Sequence, residues 1–144
     1  MDFDEKDLAI LDALKKNARH SEKKIAKITG IPMSTVHNRI KRMVESGVIA
    51  GFTVKIDYAK IGRPLVAYVL VKAAPKADQE KILEYISKKA NVLETAMITG
   101  DFDVLLKAKV ADMNELNKLV VQDLRTHPLV SDTRTLISYH TIEN

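Results

Sequence analysis

Residues 21–46, SEKKIAKITGIPMSTVHNRIKRMVES, decide the reading of this chain. Ala26, Gly30 and Val36 stand at the spacing A-x3-G-x5-V, with Ile40 one turn further on. Two amphipathic helices joined by a tight turn need this pattern. The first helix needs a small residue where the second crosses it, and the turn needs a residue that accepts positive φ, which Gly30 does without steric cost. Val36, Ile40, Met43 and Val44 make the inner stripe of the second helix, and Gly47 ends it. Ser34, Asn38, Lys41, Arg42 and Glu45 lie on its outer face, with Thr35, His37 and Arg39 flanking. A helix-turn-helix with a polar, basic outer face is the arrangement that sets side chains in a DNA major groove. Asn38 suits adenine and an Arg suits guanine, whereas Lys41 and Arg42, one turn on, suit phosphates. A solvated helix face is the bland alternative.

The charge distribution agrees. From Arg19 to Arg42 there are seven basic residues and one acidic residue, although the whole chain carries only +4. From Pro64 onward there are 10 Lys+Arg and 11 Asp+Glu, a net of −1. The positive charge is gathered on the helix-turn-helix, as a polyanion ligand requires.

Working outward, residues 4–17 read as a helix with Asp4 as N-cap and Leu8, Leu11 and Leu14 on one face. In the helix that Ser21 caps, Ile25 and Ile28 are expected inward. After Gly47, VIAGFTVKID (48–57) reads as a short hairpin turning at Gly51, a wing beside the second helix. Residues 58–63 form a linker, where Gly62 and Pro64 interrupt periodicity. The expected division is a helix-turn-helix domain with its wing over 1–57, the linker over 58–63, and a second domain over 64–144.

In that second domain the pattern becomes β-α-β-β-α-β. Strands are expected over 65–73, 91–99, 103–110 and 130–142. The helices run over 77–90, with Ile82, Tyr85 and Ile86 inward, and from Asp112, whose pairing with Glu115 is a capping-box pattern. Leu116, Leu119, Val120 and Leu124 are the apolar positions of the latter. Two split βαβ units give a ferredoxin-like, four-stranded antiparallel sheet with both helices on one face. The fold class is therefore α+β. Residues 65–71 are apolar at every position, so both faces of that strand want burial. The helices cover one face, and a second copy of the chain is the simplest cover for the other.

Helix-turn-helix, β-linker, then βαββαβ with a Gly-Asp-aromatic-Asp turn: this order resembles the Lrp/AsnC (leucine-responsive and asparagine regulator, feast/famine) family. The resemblance spans about residues 2–142. It rests on DEKDLAILDALKKNAR (4–19), on KIAKITGIPMSTVHNRIKRMVESGVIAGFTVKID (24–57) and on Thr99-Gly100-Asp101-Phe102-Asp103. It implies a DNA-binding transcription regulator that dimerises through its C-terminal domain, assembles further to an octamer, and responds to an amino acid or related metabolite bound between subunits. The helical wheel of the second helix gives the expected DNA contacts as Ser34, Thr35, His37, Asn38, Arg39, Lys41 and Arg42. By the resemblance, the effector role falls on Gly100, Asp101, Phe102, Asp103, Thr133 and Thr135. The residues themselves leave two readings open for this second set. A hairpin turn alone accounts for Gly100 and Asp101. Yet Ser131, Thr133 and Thr135 share one strand face, and such a hydroxyl row suits a small zwitterion.

Other chemistries find little support. The chain has no cysteine, which excludes disulfides and thiolate zinc sites. His20, His37, His127 and His140 show no metal-ligand spacing, and no P-loop, dinucleotide fingerprint or nucleophile motif is present, so neither metal nor cofactor is expected. No apolar run approaches the roughly 20 residues of a membrane span, and residues 1–14 do not read as a signal peptide. The expected location is the cytoplasm. Two competing functions share the architecture. One is an enzyme resembling siroheme decarboxylases, which has no need of Asn38, Lys41 and Arg42 on a clean outer face. The other is an effector-binding partner subunit, which leaves the basic N-terminal part unexplained.

Overall fold

The computed structural model describes residues 2–144. The chain divides into two compact units, one reaching Lys55 and the other running from Ile56.

In the first unit, Asp4 opens α1 (Glu5–Lys16) in a capping box: its carboxylate accepts from the Asp7 N–H, and the Asp7 carboxylate accepts from the Asp4 N–H. Ile10 and Ala13 are buried. Leu11 and Leu14 pack half-buried beside them, but Leu8 is exposed. The three-residue spacing misled here. At about 100° per residue, Leu8 lies roughly 160° round the helix from Ile10. Ser21 caps α2 (Glu22–Thr29), accepting from the Lys24 N–H at 3.1 Å. Ile25 is buried, whereas Ile28 is turned out to solvent. Gly30, at φ 74°, stops α2 and donates its N–H to the Ala26 carbonyl. In α3 (Met33–Glu45), Val36 and Met43 are fully buried, Ile40 is half-buried, and Val44 is 44% exposed rather than inward. Gly47, at φ 79°, closes α3 with its N–H on the Val44 carbonyl.

The expected hairpin over 48–57 does not form within the chain. Residues 50–57 are in no strand, and Phe52, Val54 and Ile56 are exposed. The first arm is already used: the Ile49 N–H donates to the Met43 carbonyl and Ile49 packs on the core, so the second arm has nothing to pair with.

The second unit starts with a turn of 3₁₀ helix, Tyr58–Ile61, closed by Gly62 and by the Arg63 N–H on the Tyr58 carbonyl. The segment read as a linker is thus folded with this unit: the Lys109 ammonium lies 4.7 Å from the centre of the Tyr58 ring. Then follow β1 (Leu65–Ala73), α4 (Gln79–Ser87), β2 (Val92–Met97), β3 (Val104–Val110), α5 (Met113–Asn117) and β4 (Val130–Ile137). A wider π-type turn continues α5 over Lys118–Leu124. The strands form an antiparallel sheet in the order β2-β3-β1-β4, the expected ferredoxin-like order.

Alternation along the strands sorts the sheet into two faces. Ala67, Val69 and Val71 of β1 and Val104, Leu106, Ala108 and Val110 of β3 are buried against Ile82, Ile86, Leu116, Leu119 and Leu124. Tyr85 is half-buried, its hydroxyl donating to the Asp123 carbonyl. The other face carries Val66, Tyr68, Leu70 and Leu105, half-buried and uncovered by either helix. β4 ends at Ile137, short of the expected 142. Its pairing with β1 runs out at Ala67 and at a last bond from the Ser138 N–H to the Val66 carbonyl.

Candidate nucleic-acid interface and effector segments

α3 presents Ser34, His37, Asn38, Lys41 and Arg42 to solvent, with Thr35 half-exposed at the edge. This face exists because the opposite face, Val36, Ile40 and Met43, is taken up by α1 and α2. Hydroxyl, amide and ammonium groups on one helix face can donate to and accept from base edges and phosphates.

The structure places Arg39 elsewhere than its expected DNA-contacting role. Its side chain is only 21% exposed, and its guanidinium reaches Asp4 at 2.6 Å and Asp7 at 3.1 Å. Those two carboxylates raise the already high guanidinium pKa. In return, the Asp7 backbone N–H and then the Arg39 guanidinium lower the Asp4 carboxyl to about 2. Arg39 thus fastens α3 to the start of α1. Arg42 reaches the same Asp7 oxygen at 3.5 Å while staying half-exposed. His37 Nδ1 lies 2.8 Å from Glu22 and ties α3 to the first turn of α2. Of the seven residues, Ser34, Thr35, Asn38 and Lys41 have no hydrogen bond from their side chains to another side chain among the described residues. The sequence reading passed over Met33, which is 54% exposed on the first turn of α3. An apolar side chain there suits a thymine methyl, and its place one residue before Ser34 was the available signal.

The effector segments are less alike than the sequence suggested. Gly100 turns the chain between β2 and β3 at φ 116°, and Asp101 is exposed. Asp103 is engaged: one carboxylate oxygen accepts the Ala73 N–H at 2.7 Å and the other the Gln79 amide at 3.0 Å. It therefore anchors the loop between β1 and α4. Phe102 lies under the Arg134 guanidinium, 5.1 Å from ring centre to carbon. Thr133 and Thr135 stand across from Val71 and Val69, on the helix side of the sheet, whereas Arg134 stands across from Leu70, on the open side. Within one chain the two segments meet through Phe102 and Arg134, but Thr133 and Thr135 themselves stand on the opposite side of the sheet from Arg134. Ser131, the first of the hydroxyl row, is engaged with the carbonyls of Lys72 and Ala73.

A groove of about 430 Å³ between α4 and β2 is lined by Glu80, Leu83, Glu84, Ser87, Val92 and their neighbours, and includes none of the expected effector residues. Among the described residues no group of His, Asp and Glu is arranged to hold a metal ion, and no helix is long and apolar enough to cross a membrane.

Comparison with known proteins bears on both units. Residues 3–50 match the family model described as winged helix-turn-helix DNA-binding. Residues 66–144 match the Lrp/AsnC ligand binding domain. An uncharacterized HTH-type transcriptional regulator of Pyrococcus furiosus is 39% identical over 143 residues, 98% of this chain and 95% of that protein. Among solved structures, a transcriptional regulator of Neisseria meningitidis in complex with L-Met superposes with a TM-score of 0.93 at 23% identity, over 99% of this chain and 94% of that one. A feast or famine regulatory protein of M. tuberculosis complexed with L-methionine gives 0.89 at 24% identity, over 98% and 95%. The helix-turn-helix, the βαββαβ sheet and both family matches agree, and the chain belongs to the Lrp/AsnC family of transcription regulators.

Proposed function

We propose that this regulator binds duplex DNA through the outer face of α3, with Ser34, Thr35 and Asn38 at base edges and Lys41 and Arg42 at phosphates. The observation that carries this reading is the anchoring of α3. Arg39 is bound to Asp4 and Asp7, and the side chains left on the outer face are those suited to a groove. Two copies, joined through the open sheet face, present two such helices to an imperfect palindrome. The half-buried Val66, Tyr68, Leu70 and Leu105 support that joining, because apolar side chains on an uncovered face gain by burial. Such dimers assemble further, to an octamer.

The effector is an amino acid, bound between subunits near residues 100–103 and the Thr133 and Thr135 edge. An ammonium group suits the exposed Asp101, and a carboxylate suits hydroxyls and backbone N–H groups. L-Methionine, carried by two relatives of like fold, is the first to try. Because two chains make the pocket, the effector changes how dimers associate. Coupling of this kind is about 1–3 kcal/mol.

Thermal unfolding of the full chain with each common amino acid at millimolar concentration tests the effector. Stabilisation by at least one, lost in Asp101→Ala and Thr133→Val with effector-free DNA binding kept, is the expected result. If none stabilises the wild type, residues 100–103 are a turn and nothing more.

A further inference from the structure

Two cations stand among the apolar side chains of the open sheet face. Lys107 lies across from Tyr68 and Lys109 across from Val66, so both ammonium groups rise on that face. Their side chains are only 15% and 8% exposed. An ammonium group withdrawn this far from water needs an acceptor. A single carboxylate serves both: Glu143 lies 2.5 Å from the Lys109 ammonium and 3.5 Å from that of Lys107. The Tyr58 ring meets Lys109 from another side, at 4.7 Å. Glu143 comes from the segment after β4, held to the edge of β1 by the Ser138 N–H on the Val66 carbonyl and folded by a 2.7 Å bond between the Ser138 and Thr141 hydroxyls. The lysines hold the Glu143 carboxyl below the usual range, chiefly through the hydrogen bond from Lys109.

A second copy packed on this face by two-fold symmetry takes these groups further out of water, and brings the lysines of both copies into one interface. Without counter-charge they resist desolvation and repel one another. Glu143 supplies the negative charge that both lysines reach. The two lysines thus draw their counter-charge from within their own chain rather than from the partner. A face whose buried lysines are paired within their own chain can meet an identical face, as a two-fold contact demands.

We propose that Glu143 is the residue that makes this face fit for a second copy of the chain, by carrying the counter-charge of Lys107 and Lys109 onto the sheet from residues 138–144. The proposal rests on the dimer reading above and adds a residue on which that dimer depends.

Sedimentation velocity of the full chain over a dilution series tests it, with wild type, Glu143→Gln, and Glu143→Gln combined with Lys109→Met. The wild type should run as a dimer or larger at micromolar concentration. Glu143→Gln should raise the dissociation constant about tenfold or more. Lys109→Met in that background should recover most of the loss, because it removes the charge that Glu143 balanced. Glu143 is half-exposed, so its amide variant leaves the fold intact, and circular dichroism verifies this. A Glu143→Gln chain that dissociates like wild type overturns the proposal, as does a double variant weaker than the single one. A monomeric wild type overturns the dimer reading itself, and is seen before any variant is compared.

Discussion

Asp7 has no exposure to solvent, yet one of its carboxylate oxygens faces three donors: the Asp4 N–H, Arg39 and, at 3.5 Å, Arg42. Two donors from α3 and one from the cap of α1 meet on one buried oxygen and fix the rotation of α3, and with it the direction of Asn38 and Lys41. Asn38 sits at the centre of the outer face. Asn38→Ala should cost about 1–3 kcal/mol at a preferred site and relax base preference there. Lys41→Ala should weaken all sequences alike and make the salt dependence shallower. Fluorescence anisotropy with specific and scrambled duplexes separates the two, and the reverse behaviour means that the helix is turned otherwise in the groove. Asp4 sets the acid limit of the same anchor. Its carboxyl falls from 3.8 to about 2, because the Asp7 N–H and Arg39 favour the charged form. A folded pKa below the unfolded one gives stability that is present above about 3.8 and lost as pH falls toward 2. The stability gap between wild type and Asp4→Asn, which keeps the cap oxygen without the charge, should therefore close between pH 4 and 2. A gap unchanged over that range means the ion pair contributes nothing.

Among the elements, the turn between α2 and α3 depends on the left-handed conformation of Gly30. Gly30 is at φ 74° with open space where a Cβ would stand. Gly30→Ala should then cost only the left-handed conformation, about 1–2 kcal/mol, read as a lower melting temperature with the DNA preference kept. A loss of preference at unchanged stability contradicts this view of the turn. Much of the architecture was legible in local patterns. The caps at Asp4 and Ser21, the glycine turns and the buried Leu116, Leu119 and Leu124 all follow from neighbours within a few residues. Apart from the helix-phase errors at Leu8, Ile28 and Val44, what failed was non-local. Arg39 reads as one more basic residue on a basic helix, because its partners Asp4 and Asp7 are 35 and 32 residues away. The hairpin over 48–57 alternates well, but the closure of α3 had already taken Ile49. Asp103 reads as a free ligand group until Ala73 and Gln79, 30 and 24 residues earlier, are seen to occupy it. Thr133 and Thr135 share one strand face by their period-two spacing, but which face depends on a register that sequence spacing does not encode.

Across the whole molecule, a basic helix-turn-helix is followed by a sheet domain whose open face meets a second copy in the proposed dimer. Duplicating the one duplicates the other, so the DNA site should carry the symmetry of the protein. Selection of bound sequences from a random duplex pool by the full chain, repeated with Asn38→Ala, tests this most directly. The wild type should enrich imperfect palindromes with half-sites about one helical turn apart, and the variant should lose information at the same position in each half-site. No enrichment from the pool by a folded wild-type protein, or enriched sites unaffected by Asn38→Ala, would contradict the account.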